Sequence, residues 1–111
     1  MDKYTVKITP YAEGAAREIG QYIAVSLQSP QAAVHTLSAI HKEIRSLVTM
    51  PARFPLILEE PWHSECVHKM PVKNFLVYYW VDEKRKIVHI IHIVYAGRDQ
   101  KVQLTQAELS E

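Results

Sequence analysis

Six histidines and a single cysteine set the chemical options of this chain. His63, Cys66 and His68 form an H-x2-C-x-H cluster. Zinc accepts these ligand types, but a structural site takes four ligands and a catalytic site at least three in good geometry. No second cluster accompanies this one. It therefore reads as structural, with Cys66 a small buried hydrophobe and the histidines polar edge residues, and no metal is expected. His89 and His92 are three apart in a segment that alternates like a strand, so they point to opposite faces and cannot chelate together. His92 and Tyr95 are also three apart and face opposite ways unless a bulge intervenes. His92 has no charged neighbour on its face, and a desolvated imidazole there could titrate near neutrality. The plainer reading is a satisfied core histidine. His68, Lys69 and Lys73 lie on or beside the neighbouring strand, and Arg98 follows the last one. Together they could form a modest cationic patch that contacts phosphate, or simply guard a sheet edge against pairing. Tyr78, Tyr79 and Trp80 could stack on bases, although a core role suits them better. No glycine-rich phosphate loop, nucleophile elbow or His-Glu-x-x-His motif is present, and no cofactor is expected.

These residues must be positioned by a small set of elements. Tyr4–Ile8 alternates and is β-branched, the pattern of a short strand. Thr9-Pro10 supplies a helix start, a capping hydroxyl followed by proline. Ala12, Ala15, Ala16, Ile19, Tyr22, Ile23 and Leu27 then recur at helical spacing. Ser29-Pro30 repeats the signal before a second stripe of Ala33, Val34, Leu37, Ile40, Ile44, Leu47 and Val48, which stops before Pro51. Residues 51–66 hold three prolines among Phe54, Leu56, Ile57, Leu58 and Trp62, so an irregular segment pinned by apolar anchors is expected. Three strands follow, at about 66–72, 75–81 and 87–95, with Asn74 and the charged run 82–86 as turns. The order is β-α-α-β-β-β. It predicts an α+β fold in which a helical hairpin packs on one face of a mostly antiparallel four-stranded sheet.

The last strand sharpens this picture. One face carries Ile87, His89, Ile91, Ile93 and Tyr95, the other Val88, Ile90, His92 and Val94. Both faces are apolar, whereas a sheet covered on one side alternates apolar and polar. Two helices cover one face only. Either the proline-rich segment and the tail fold over the second face, or a partner docks there, and the two can hold together.

Composition bounds the rest. The 111 residues are 48% hydrophobic and 23% charged, with net charge +1. One domain spanning 1–111 is expected, with the polar residues 102–111 a loose or short helical tail. No run of 18 apolar residues is available to span a membrane. The start has no basic region followed by an apolar stretch, as a signal peptide would. One cysteine suits a reducing, cytoplasmic setting. A pI near 7.9 lies below the usual footprint of a strongly electrostatic nucleic-acid binder.

The run Met70-Pro71-Val72-Lys73-Asn74-Phe75-Leu76-Val77-Tyr78-Tyr79, followed by Ile90–Asp99 ending in Tyr95-Ala96-Gly97-Arg98-Asp99, resembles the RelE/ParE superfamily of toxins. The start of the first helix and Met50–Pro55 resemble it too, and the likeness spans residues 4–100. The resemblance implies the toxin of a type II toxin–antitoxin, plasmid-stabilisation-type module. It implies a bacterial, cytoplasmic protein neutralised by a cognate antitoxin that wraps the sheet and helices in a hetero-oligomer. Tyr78, Trp80, Ile90 and Val94 are the residues expected on the antitoxin-binding surface. One branch of the family cleaves mRNA in the ribosomal A site without metal. The other inhibits DNA gyrase. Carry-over of the ribonuclease positions gives His68 or Lys69 before the central strand, His92 in the last strand where many relatives have Arg, Tyr95 where His is common, and Arg98. Metal-free RNA cleavage needs a group that activates the 2′-hydroxyl and cations that stabilise the transition state. With several arginine positions filled by histidine, and with near-neutral charge, the gyrase-type branch is the favoured expectation. The alternatives are a ribosome-dependent endoribonuclease and a non-toxic partner-binding module that keeps the fold.

Overall fold

The computed structural model describes residues 3–96. Strand β1 (Thr5–Ile8) leads into helix α1 (Pro10–Gln21), which ends in a π-helical turn at Tyr22–Ser26. Helix α2 (Pro30–Arg45) runs on into a short 3-10 turn at Ser46–Val48. After a second such turn at Pro51–Arg53 come β2 (His68–Val72), β3 (Phe75–Asp82) and β4 (Ile87–Tyr95). The sheet order is β1-β4-β3-β2. β1 is parallel to β4, and the other pairs are antiparallel. This is the expected α+β arrangement. The strand expected from about Cys66 begins at His68 instead, because Cys66 takes a left-handed φ of 59°.

Both helix starts act as their sequence predicts. Thr9 Oγ1 accepts from Ala12 N at 3.2 Å while donating to Ile90 O at 2.8 Å, so one hydroxyl caps α1 and ties it to β4. Ser29 Oγ accepts from Ala32 N at 3.3 Å at the start of α2. In α1 the small residues set the approach distance. Gly20 is buried, and a Cβ there would meet Leu37 Cδ1 of α2 at 2.7 Å. Glycine is needed at this crossing for contact rather than for backbone freedom.

The sheet separates two apolar clusters. Under the helices, Ala12, Ala16, Ile40, Ile44 and Leu47 pack on Met70, Val77, Tyr79, Val88, Ile90 and Ile93. On the second face, Ile57, Trp62 and Val67 pack on Tyr78, Ile91 and Val94. The segment 54–67, called the strap below, therefore covers the second face with the chain's own side chains. It is held by Ile57 N donating to Val67 O at 2.8 Å, by Lys69 N donating to Pro55 O at 2.9 Å, and by a bridge between Leu56 and His68. His63 Nδ1 adds a bond to Ile57 O at 2.9 Å. Residues of the tail lie outside the described residues.

A bulge corrects the expected alternation of β4. Tyr79 pairs with Ile90 and Tyr78 with His92, so Ile91 is the extra residue. Before the bulge the faces are as the spacing predicts. After it they exchange, which places Ile93 in the cluster under the helices and Val94 in the cluster under the strap. Nothing in Ile87–Tyr95 marks the site, because every residue around it is apolar or aromatic on both faces.

Candidate functional site

The bulge brings Lys69, Tyr78 and His92 into one cross-strand row over β2, β3 and β4. His92 lies just past the end of β1, where α1 rather than a strand borders β4. Its ring meets Tyr11, in the first turn of α1, edge-on with centroids 4.7 Å apart. The imidazole is buried, and neither ring nitrogen has a hydrogen-bond partner among the described residues. Burial alone pushes its pKa down to about 4, so the ring is neutral at physiological pH. The expectation of titration near neutrality is thus corrected, since among the described residues no group compensates the desolvation of its cation. Tyr78 is pushed the other way, to about 12, by burial and by the Glu59 carboxylate of the strap. The row holds one neutral base, one protonated phenol and one lysine.

The other predicted residues are dispersed. His68 lies on the helix side, stacked on Tyr79 with centroids 5.0 Å apart, and its Nδ1 donates to Phe54 O at 2.7 Å. This is the role of a strap anchor. Tyr95 is 48% exposed and packs edge-on against Phe75 at 5.7 Å. The alternation between His92 and Tyr95 is regular, because the bulge precedes both. Arg98 lies outside the described residues. Cys66 is exposed rather than buried, and no group of three metal-ligating side chains converges among the described residues.

Of the four residues expected on one partner-binding surface, Ile90 is fully buried under the helices. The reason is its pairing with Tyr79, which puts it on the face opposite Tyr78. Tyr78 and Val94 are on the second face but buried beneath the strap. Trp80 keeps partial exposure and stacks on His89, with centroids 4.5 Å apart and rings inclined by 16°.

One cleft of about 670 Å³ opens between the helical hairpin and the end of the sheet. Phe75, His92 and Tyr95 of the sheet and Glu18, Ile19 and Tyr22 of the hairpin line it. Sequence reasoning missed Tyr11 and Glu18. They fall with Ala15 and Tyr22 on one stripe at helical spacing, a signal that a search limited to apolar positions passes over.

Comparison with known proteins follows the same lines. A family model described as the ParE toxin of a type II toxin–antitoxin system, parDE, matches residues 6–100. A search of curated proteins finds no match. Among solved structures, the chromosomal ParDE toxin–antitoxin system of P. aeruginosa superposes with a TM-score of 0.68 at 19% identity, covering 84% of this chain and 96% of that one. A free-state mutant of the E. coli toxin RelE gives 0.65 at 12% identity, covering 97% and 96%. The RelBE2 toxin–antitoxin complex of Mycobacterium tuberculosis gives 0.62 at 17%, covering 84% and 98%.

Proposed function

This chain belongs to the ParE toxin family of type II toxin–antitoxin systems, and from that premise we propose that it arrests growth by binding a protein target, DNA gyrase being the leading one. The observation that carries the reading is the state of the Lys69–Tyr78–His92 row. Ribonuclease chemistry at a strand site needs a group that exchanges protons near neutral pH and cations around the transition state. Here Tyr78 stays protonated, His92 stays neutral, and both are buried. The strap over that face brings Glu59, Glu60 and Glu65 with no Lys or Arg between Arg53 and Lys69. Those charges repel a phosphate backbone. A near-neutral chain with no basic half fits a protein target better than a ribosome.

The cognate antitoxin is the partner we assign to the part of the sheet that the strap leaves uncovered. Trp80 and His89 form its centre, as a flat stacked pair with Lys7 in register beside His89. The complex acts in the cytoplasm. No described helix is long and apolar enough to cross a membrane.

One observation favours a second reading. Lys69 does sit in register with two groups able to hold protons, which is the minimum for a metal-free ribonuclease. The two readings separate in one experiment. The chain is induced alone in a bacterial host, gyrase supercoiling is assayed with purified protein, and ribosome-bound mRNA is mapped during arrest. Lost supercoiling with intact mRNA supports the first reading. Cut mRNA, with toxicity abolished by a His92→Ala and Tyr95→Ala double change, supports the second. No growth arrest at all rejects both and leaves a binding module.

A further inference from the structure

The cleft between the helical hairpin and the end of the sheet has no role in either reading above. Its volume of about 670 Å³ lies in the range of small-molecule sites, and its lining is mostly apolar. Three aromatic rings share it. Tyr22 comes from the hairpin, and Phe75 and Tyr95 come from the sheet, packed edge-on with centroids 5.7 Å apart. Tyr22 and Tyr95 are 55% and 48% exposed, so both stay open to a ligand. Glu18, one helical turn before Tyr22, is the only charged residue in the lining, and it is exposed. The cations next to the lining in sequence, Arg17 and Lys73, do not take part in it. His92, the one lining residue able to turn positive, is held neutral at physiological pH by its burial. Aromatic faces attract cations through the ring quadrupole, and a carboxylate attracts them through its charge. An anion finds no opposite charge in this lining and is repelled by Glu18.

We propose that this cleft binds a small organic cation, an ammonium group carried on an aromatic body, with the body among Ile19, Phe75 and Tyr95 and the ammonium beside Glu18 and Tyr22. The body supplies apolar burial, and the charge supplies the selectivity. Because Glu18 is exposed, that selectivity weakens as salt rises.

Amide NMR titration of the full chain at pH 7 and low salt tests this, with phenethylammonium as one probe and 2-phenylethanol as the other. The two share a ring and differ in the charge. The expected result is saturable shifts at Ile19, Tyr22, Phe75 and Tyr95, with the ammonium binding about tenfold tighter than the alcohol. Glu18→Gln cuts that preference to about twofold or less and leaves the affinity for the alcohol unchanged. Glu13→Gln makes the same charge change on the exposed first turn of α1, outside the cleft, and keeps the preference. The spectra themselves report that each variant is folded. Absence of saturable binding of the ammonium overturns the proposal, as do shifts confined to another part of the molecule. Equal affinities for the two probes overturn it and leave a merely apolar cleft. A preference that survives Glu18→Gln also overturns it. None of these outcomes depends on whether the target is gyrase or RNA.

Discussion

His92 shows how one side chain sets both stability and the limits of chemistry. Its ring is buried, neither nitrogen has a partner among the described residues, and its pKa falls from 6.5 to about 4. The folded state thus takes up a proton less readily than the unfolded chain. Stability is full above about pH 6.5 and falls as pH drops towards 4, by roughly 3 kcal/mol at most. Urea unfolding at pH 7 and pH 5 should therefore give a lower midpoint in acid. His92→Phe keeps the edge contact with Tyr11 and removes the two orphaned nitrogens. It is expected to gain about 1 kcal/mol at pH 7 and to lose most of the acid sensitivity. An unchanged difference between the two pH values in His92→Phe would mean that another group carries the effect. The sequence shows a histidine on an apolar strand. That neither nitrogen finds a partner among the described residues was not legible, because it depends on the bulge at Ile91 and on where Tyr11 lands.

Helix α1 contains two glycines that look alike in sequence and differ in surroundings. A Cβ at Gly14 comes no nearer than 3.9 Å to another side chain, that of Arg17, whereas one at Gly20 meets Leu37 Cδ1 at 2.7 Å. Gly14→Ala should stabilise by about 1 kcal/mol through helix propensity. Gly20→Ala gains the same propensity but must move Leu37, so no net gain is expected. Thermal unfolding of the two single variants distinguishes them. The strap offers a third test. Trp62 is 2% exposed against Tyr78, Ile91 and Val94, and its indole N–H has no partner among the described residues. Trp62→Ala should cost about 3 kcal/mol in denaturant midpoints. Trp62→Phe should cost distinctly less, since it retains the ring and removes the unpartnered donor. At this scale the sequence was largely readable. Thr9-Pro10 and Ser29-Pro30 fixed the helix starts, and β-branched and aromatic runs gave the strands. The two-sided apolar pattern of β4 required a cover, and Ile57, Trp62 and Val67 supply it. What it left open was which side each of Ile90 to Val94 faces, since a one-residue insertion in an all-apolar strand leaves no trace in the pattern.

At the scale of the molecule, a fold does not by itself give a function, so function rests on the site. Here the strap covers Tyr78 of the strand row that would carry RNA cleavage, Tyr78 stays protonated and His92 stays neutral. Outside the strap, Trp80 and His89 stay part-exposed, and the hairpin end exposes Tyr22, Val25, Leu27 and Val34. If Trp80–His89 is the antitoxin contact, Trp80→Ala should weaken neutralisation by about 2 kcal/mol, some thirtyfold, without reducing toxicity. Titrating growth rescue against antitoxin dose reads this directly. The near-neutral balance of 13 basic and 12 acidic residues was legible from the start. Its meaning depended on knowing that the strap's Glu59 carboxylate lies close enough to act on Tyr78 of the sheet. The most direct test of the central claim is the fate of ribosome-bound mRNA and of gyrase supercoiling in the same arrested cells. Intact mRNA with relaxed DNA is the predicted result. Messages cut on the ribosome with supercoiling unchanged would contradict the account.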